Sequence, residues 1–83
     1  MQVTEELKTV LDDVLSLGGR ARGFGPGTPL LGAIPELDSM AVVSLITALE
    51  ERFGIEIADD EIDGAVFATF GSLAGFVERM QAR

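Results

Sequence analysis

The run Leu37-Asp38-Ser39-Met40-Ala41-Val42-Val43-Ser44-Leu45-Ile46-Thr47-Ala48-Leu49-Glu50-Glu51-Arg52-Phe53-Gly54 carries a whole helix, with both of its ends and its buried face. Asp38 is a good N-cap, because its carboxylate can accept from the free amides of a first helical turn. Val42, Val43, Ile46, Leu49 and Phe53 fall on one face at three- and four-residue spacing, with Leu45 beside them. Gly54 supplies the stop. The spacing predicts a helix over residues 39–53.

Upstream, Val3, Leu7, Val10, Leu11, Val14 and Leu15 recur at three and four and predict a helix over residues 4–17. Thr4 can cap its start, Glu5 and Glu6 suit the positive end of its dipole, and Gly18-Gly19 ends it. Residues 18–38 then read as a long loop with no helix or strand pattern, rich in Gly and Pro. Leu30, Leu31, Ile34 and Leu37 are expected to pin this loop to the core. A loop this long is either a simple connector or functional.

Downstream, Ile55 and Ile57 are apolar in a stretch too short for a strand. Asp59-Asp60-Glu61-Ile62-Asp63 predicts a short helix over residues 59–64, stopped at Gly64. Thr69 caps a last helix over residues 70–81, with Phe70, Leu73, Ala74, Val77 and Met80 inward. Gly71 and Gly75 weaken that helix by up to ~1 kcal/mol each relative to Ala. The expected fold is all-α: one domain over residues 1–83, a small antiparallel bundle of three main helices plus one short helix.

Composition excludes much. The chain has no cysteine and no histidine, so Ser-His-Asp and Cys-His triads cannot be built from it, and a zinc site lacks its usual ligands. Six basic against fourteen acidic residues give a net charge of −8. Such a surface repels nucleic-acid phosphates and anionic membranes and favours protein partners with a basic patch. The acidic start, Met1-Gln2-Val3-Thr4-Glu5-Glu6, lacks a signal-peptide pattern, and no apolar run reaches bilayer length. A cytoplasmic monomer is expected, without membrane insertion.

Among candidate sites, Asp38-Ser39 is accounted for by local chemistry alone as an ordinary helix start. Its functional reading is physical as well. A phosphodiester on Ser39 would face free N–H groups and the positive end of the helix dipole. No histidine exists and no lysine stands near in sequence, so chemistry at Ser39 must be done by a second protein. That fits post-translational attachment better than catalysis. Asp59 to Gly64 suggests an EF-hand, but its third position is Glu61 and its twelfth is Phe70 where a bidentate Glu is required, so no metal site is assigned. Gly23-Phe24-Gly25-Pro26-Gly27 lacks the Lys-Ser/Thr of a phosphate loop. Arg20 and Arg22 are expected to be solvated charges that offset the acidic surface.

Leu37-Asp38-Ser39-Met40, then Leu45, Ala48-Leu49-Glu50-Glu51, Phe53-Gly54, Ile57 and the acidic run 59–63, together resemble the acyl carrier protein family. Thr28-Pro29-Leu30-Leu31 and Thr69-Phe70-Gly71-Ser72-Leu73 extend the likeness over nearly the whole chain. The resemblance implies a carrier and not an enzyme. A phosphopantetheinyl transferase would attach 4'-phosphopantetheine to Ser39, with Asp38 helping it hold Mg²⁺, and acyl groups would ride on the arm as thioesters. The helix from Ser39 would be the docking surface for acyl-loading and acyl-transferring enzymes. Met40, Ala41, Val42, Ser44, Thr47, Glu50 and Glu51 lie on it, followed by Asp59, Asp60 and Glu61. Housekeeping fatty-acid carriers are similar but carry acidic side chains just after the serine, where this chain has Ala41, Ser44 and Thr47. A dedicated pathway partner is therefore expected. Leu31 to Met40 resembles carriers encoded beside exosortase and exopolysaccharide systems. An aminoacyl or peptidyl cargo, or a helical adaptor without any prosthetic group, remain the alternatives.

Overall fold

The computed structural model of the chain describes residues 2–82. Three α-helices carry the fold: α1 (Gln2–Leu15), α2 (Ser39–Phe53) and α3 (Phe70–Gln81). Two single 3₁₀ turns, Arg20–Gly23 and Asp59–Glu61, sit in the connections. No strand forms among the described residues; an isolated bridge joins Pro29 to Thr69. The architecture is the all-α bundle that the periodicity implies, with α1 packed against both α2 and α3.

Leu7, Leu11, Leu30, Leu45, Leu49, Leu73 and Val77 are fully buried and draw on all three helices and the long loop. Each buried leucine is worth about 1.5–3 kcal/mol of transfer free energy, so this set dominates the stabilisation of so short a chain.

α1 departs from its expected bounds at both ends. It begins at Gln2, so Thr4 lies inside it rather than capping it, and it stops at Leu15 rather than at residue 17. Ser16 turns left-handed at φ 55°, and the Leu17 amide donates to the Asp12 carbonyl at 3.1 Å. This is a Schellman closure, and it is stabilised by Leu17 dropping into the core at 4% exposure. The apolar anchor therefore ends the helix ahead of Gly18 and Gly19. α2 closes the same way on Gly54 at φ 65°, with the Ile55 amide on the Glu50 carbonyl at 3.2 Å and Ile55 buried.

The segment expected to be patternless is tied down. The Asp12 carboxylate accepts from the amides of Gly19 at 3.2 Å and Ala21 at 3.1 Å, fixing the first 3₁₀ turn to α1. Further on, Leu30 and Leu31 donate to the carbonyls of Ala68 and Phe67, both at 3.0 Å. In return, Phe70 and Gly71 donate to the carbonyls of Thr28 and Pro26 at 2.8 and 2.9 Å. Phe24 meets the Phe70 ring edge-on, with centroids 6.0 Å apart. Leu30 and Leu37 anchor the loop as expected and Ile34 is half-buried, but Leu31 is turned outward. Its amide is bonded to the Phe67 carbonyl while its side chain lies on the solvent side.

Three further expectations change. The short helix of residues 59–64 is only the turn Asp59–Glu61, because the Asp63 carboxylate accepts the Val66 amide at 3.2 Å and starts a new turn. Phe76, not singled out from the pattern, is buried at 5% beside Val77, and Ala74 is only half-buried. Gly71 is demanded by packing: a Cβ there would lie 2.5 Å from the Pro26 carbonyl oxygen.

Candidate functional site: the start of the second helix

Ser39 is the first residue of α2 and is exposed. Asp38 precedes it in extended conformation, and its carboxylate accepts from the Ala41 amide at 2.8 Å. The Val42 amide reaches the Asp38 carbonyl at 2.9 Å. Those two bonds leave the amides of Ser39 and Met40 without a partner among the described residues, directly at the serine hydroxyl. A helix start with free N–H groups and no acid in its first turn receives an anion well.

Among the described residues nothing activates this hydroxyl. The chain has one lysine, Lys8, whose ammonium donates to the Arg22 carbonyl at 3.3 Å and pairs with Glu5 at 3.8 Å on α1. A base and a metal for reaction at Ser39 have to come from elsewhere.

The expected partner-facing residues divide. Met40, Ser44, Thr47, Glu51 and Asp60 are exposed, and Met40 is 76% exposed. Ala41 and Val42 are half-buried against the core. Glu50 is half-buried, and its carboxylate accepts the Ile57 amide at 2.9 Å, closing the chain behind α2. The Glu61 carboxylate likewise accepts from the Ala58 amide at 3.0 Å. The side chain of Asp59 lies outside the described residues.

Two features were not anticipated. Val43 is 61% exposed and stands with Met40 on the solvent face, rather than on the core face with Val42. The signal was present in the spacing: Val43 and Leu45 are two apart, roughly opposite on a helix, and Leu45 is fully buried. Arg20 is exposed, as expected of a solvated charge, and its guanidinium also holds the Glu36 carboxylate in an ion pair. Sequence spacing gives no warning of a contact across sixteen residues of loop.

Comparison with known proteins decides what this arrangement belongs to. Residues 3–77 match the family described as "Phosphopantetheine attachment site". The acyl carrier protein of Sinorhizobium fredii is 34% identical over 80 residues, covering 96% of each chain, and acyl carrier protein AcpP of Rhizobium meliloti matches to the same extent. The chain belongs to the acyl carrier protein family. The solution NMR structure of a holo acyl carrier protein from Nitrosomonas europaea superposes with a TM-score of 0.91 at 52% identity, over 100% of both chains. An acyl carrier protein holds acyl groups on a 4'-phosphopantetheine arm and offers them to partner enzymes. The exposed start of α2, with its free amides, fits the phosphodiester end of such an arm. Leu49 and Phe67 are buried in the core, Ile46 is half-buried and Ile57 is 9% exposed.

Proposed function

We propose that Ser39 is the residue that bears the phosphopantetheine arm, and that this acyl carrier protein serves a dedicated pathway. The observation that carries the first part is the exposed hydroxyl at the first position of α2, beside two unpartnered amides and behind a capping carboxylate. The transferase brings coenzyme A and Mg²⁺. The Ser39 oxygen forms a bond to the coenzyme's phosphopantetheinyl phosphorus, the pyrophosphate bond breaks with departure of 3',5'-ADP, and the serine proton passes to a base of the transferase. Asp38 keeps the first turn formed and offers a carboxylate next to the metal. The chain itself is no enzyme in this reading, since it supplies neither base nor nucleophile to a cargo. It works in the cytoplasm, where coenzyme A and partner enzymes meet it; among the described residues no helix is long and apolar enough to cross a membrane.

Support for a dedicated partner comes from the face beyond Ser39. Met40, Val43, Ser44 and Thr47 are exposed there, all uncharged. A partner that docks on this face is selected by shape and apolar contact more than by electrostatic steering. Ser44→Glu is expected to give no gain in turnover with the native partner, and a clear gain would contradict this part. The attachment itself is tested by intact mass after incubation with coenzyme A, Mg²⁺ and a broad-specificity phosphopantetheinyl transferase. A gain of one phosphopantetheine on the wild type and none on Ser39→Ala is expected. No gain on folded wild-type apoprotein would leave the adaptor reading.

A further inference from the structure

Two carboxylates stand nearest Ser39 along the chain, Asp38 and Glu36, and both are engaged within the molecule. Asp38 accepts from the Ala41 amide. Glu36 is paired with the Arg20 guanidinium. That guanidinium arrives from a firm base. Its Nε donates to the Leu17 carbonyl at 3.3 Å, Ala21 beside it is fully buried, and the Asp12 carboxylate clamps the amides of Gly19 and Ala21 to α1. Lys8 adds a bond to the Arg22 carbonyl at 3.3 Å. Little side-chain freedom is left to lose when Arg20 meets Glu36, so the pair is well populated although it lies at the surface.

Its side chains are 56% and 36% exposed. An exposed pair of this kind adds little to stability. What it changes is the field that an approaching protein meets. Without Arg20, an uncompensated carboxylate would sit three residues before Ser39. With it, Asp38 is, among the described residues, the one nearby carboxylate along the chain left without a cation, and the exposed groups that follow on the helix, Met40, Val43, Ser44 and Thr47, are uncharged.

We infer that Arg20 is a specificity-determining residue: by cancelling the Glu36 carboxylate it withdraws negative charge from the rim of the Ser39 site, so that enzymes docking through a basic patch are disfavoured against enzymes docking through an uncharged, apolar one. This rests on Ser39 being the attachment residue. Charge at a docking rim acts on encounter and on salt dependence more than on the chemical step. The effect therefore appears in KM and fades as salt screens it.

The test measures phosphopantetheine loading by a transferase whose docking patch is basic, with coenzyme A and Mg²⁺, at low and at high salt. Arg20→Gln is expected to raise kcat/KM about twofold to fivefold at low salt. The gain should lie in KM, with kcat unchanged, and disappear at about 1 M salt, where the Debye length is about 3 Å. Arg20→Lys keeps the charge and should stay near wild type. Glu36→Gln alone should lower kcat/KM, which tests the idea without touching Arg20. R20Q/E36Q restores the wild-type net charge and should return to the wild-type rate. Arg79→Gln, an exposed arginine on α3, makes the same change in net charge elsewhere and should do nothing. The inference is overturned if R20Q leaves kcat/KM unchanged, if R79Q matches its gain, if R20Q/E36Q retains the gain, or if E36Q causes no fall. Wild-type protein that takes no arm at all would instead overturn the Ser39 assignment on which these rates depend.

Discussion

Single residues in this carrier are held by specific geometric demands, and three of them give predictions with a definite sign. Ser16 sits left-handed at φ 55°, a conformation that costs an L-residue about 1–2 kcal/mol. Ser16→Gly should therefore raise the urea midpoint by the equivalent of about 0.5–1 kcal/mol, although glycine is the more flexible residue in the unfolded chain. At Gly71 two effects oppose each other. Helix propensity favours alanine by about 1 kcal/mol, whereas the new methyl carbon would lie 2.5 Å from the Pro26 carbonyl oxygen. The obstacle is backbone, itself bonded to the Gly71 amide, so it cannot step aside. Overpacking of this kind costs about 1–3 kcal/mol, and Gly71→Ala should lower stability in the same titration. Asp38→Ala removes the cap of α2 and should cost about 0.5–2 kcal/mol. Loading at Ser39 should slow as well, because the first turn that presents the hydroxyl frays.

At the scale of elements, α2 matters most, since it forms both the core stripe of Leu45 and Leu49 and the exposed face that follows Ser39. Leu49→Ala should cost about 2–5 kcal/mol, a large share of the stability of a small domain, and circular dichroism under denaturant would show it. Much of this element is legible in its residues: Asp38 as cap, Gly54 as stop and Leu49 on the inner face all act locally, within one or two turns, whereas Leu45, placed only beside that face, is fully buried. α3 is legible for the same reason, because Thr69 and Ser72 cap each other at 3.0 and 3.1 Å. What spacing conceals is anything decided by distant packing. The end of α1 depends on Leu17 finding the core. The loop of residues 18–38 is shaped by hydrogen bonds to residues 67–71, and the glycine at position 71 looks like a helix weakness until Pro26 is seen against it. The outward turn of Val43 is an intermediate case, since the burial of Leu45 settles it.

For the whole molecule, the long loop and the start of α3 form one tied assembly, with Leu30 buried beneath it. As a candidate site, Ser39 was legible through the family resemblance of its surrounding motif, since local chemistry alone reads Asp38-Ser39 as an ordinary helix start. Its surroundings were not, because the Arg20–Glu36 pair crosses the loop. Every role proposed for this carrier depends on where the arm is attached. Loaded protein cleaved after arginine yields a peptide of residues 23–52, which contains both Ser39 and Ser44. Fragmentation of that peptide by mass spectrometry separates the two. The whole phosphopantetheine increment is expected on Ser39, with Ser44 unmodified; an arm on Ser44, or on any peptide outside residues 23–52, would contradict attachment at Ser39.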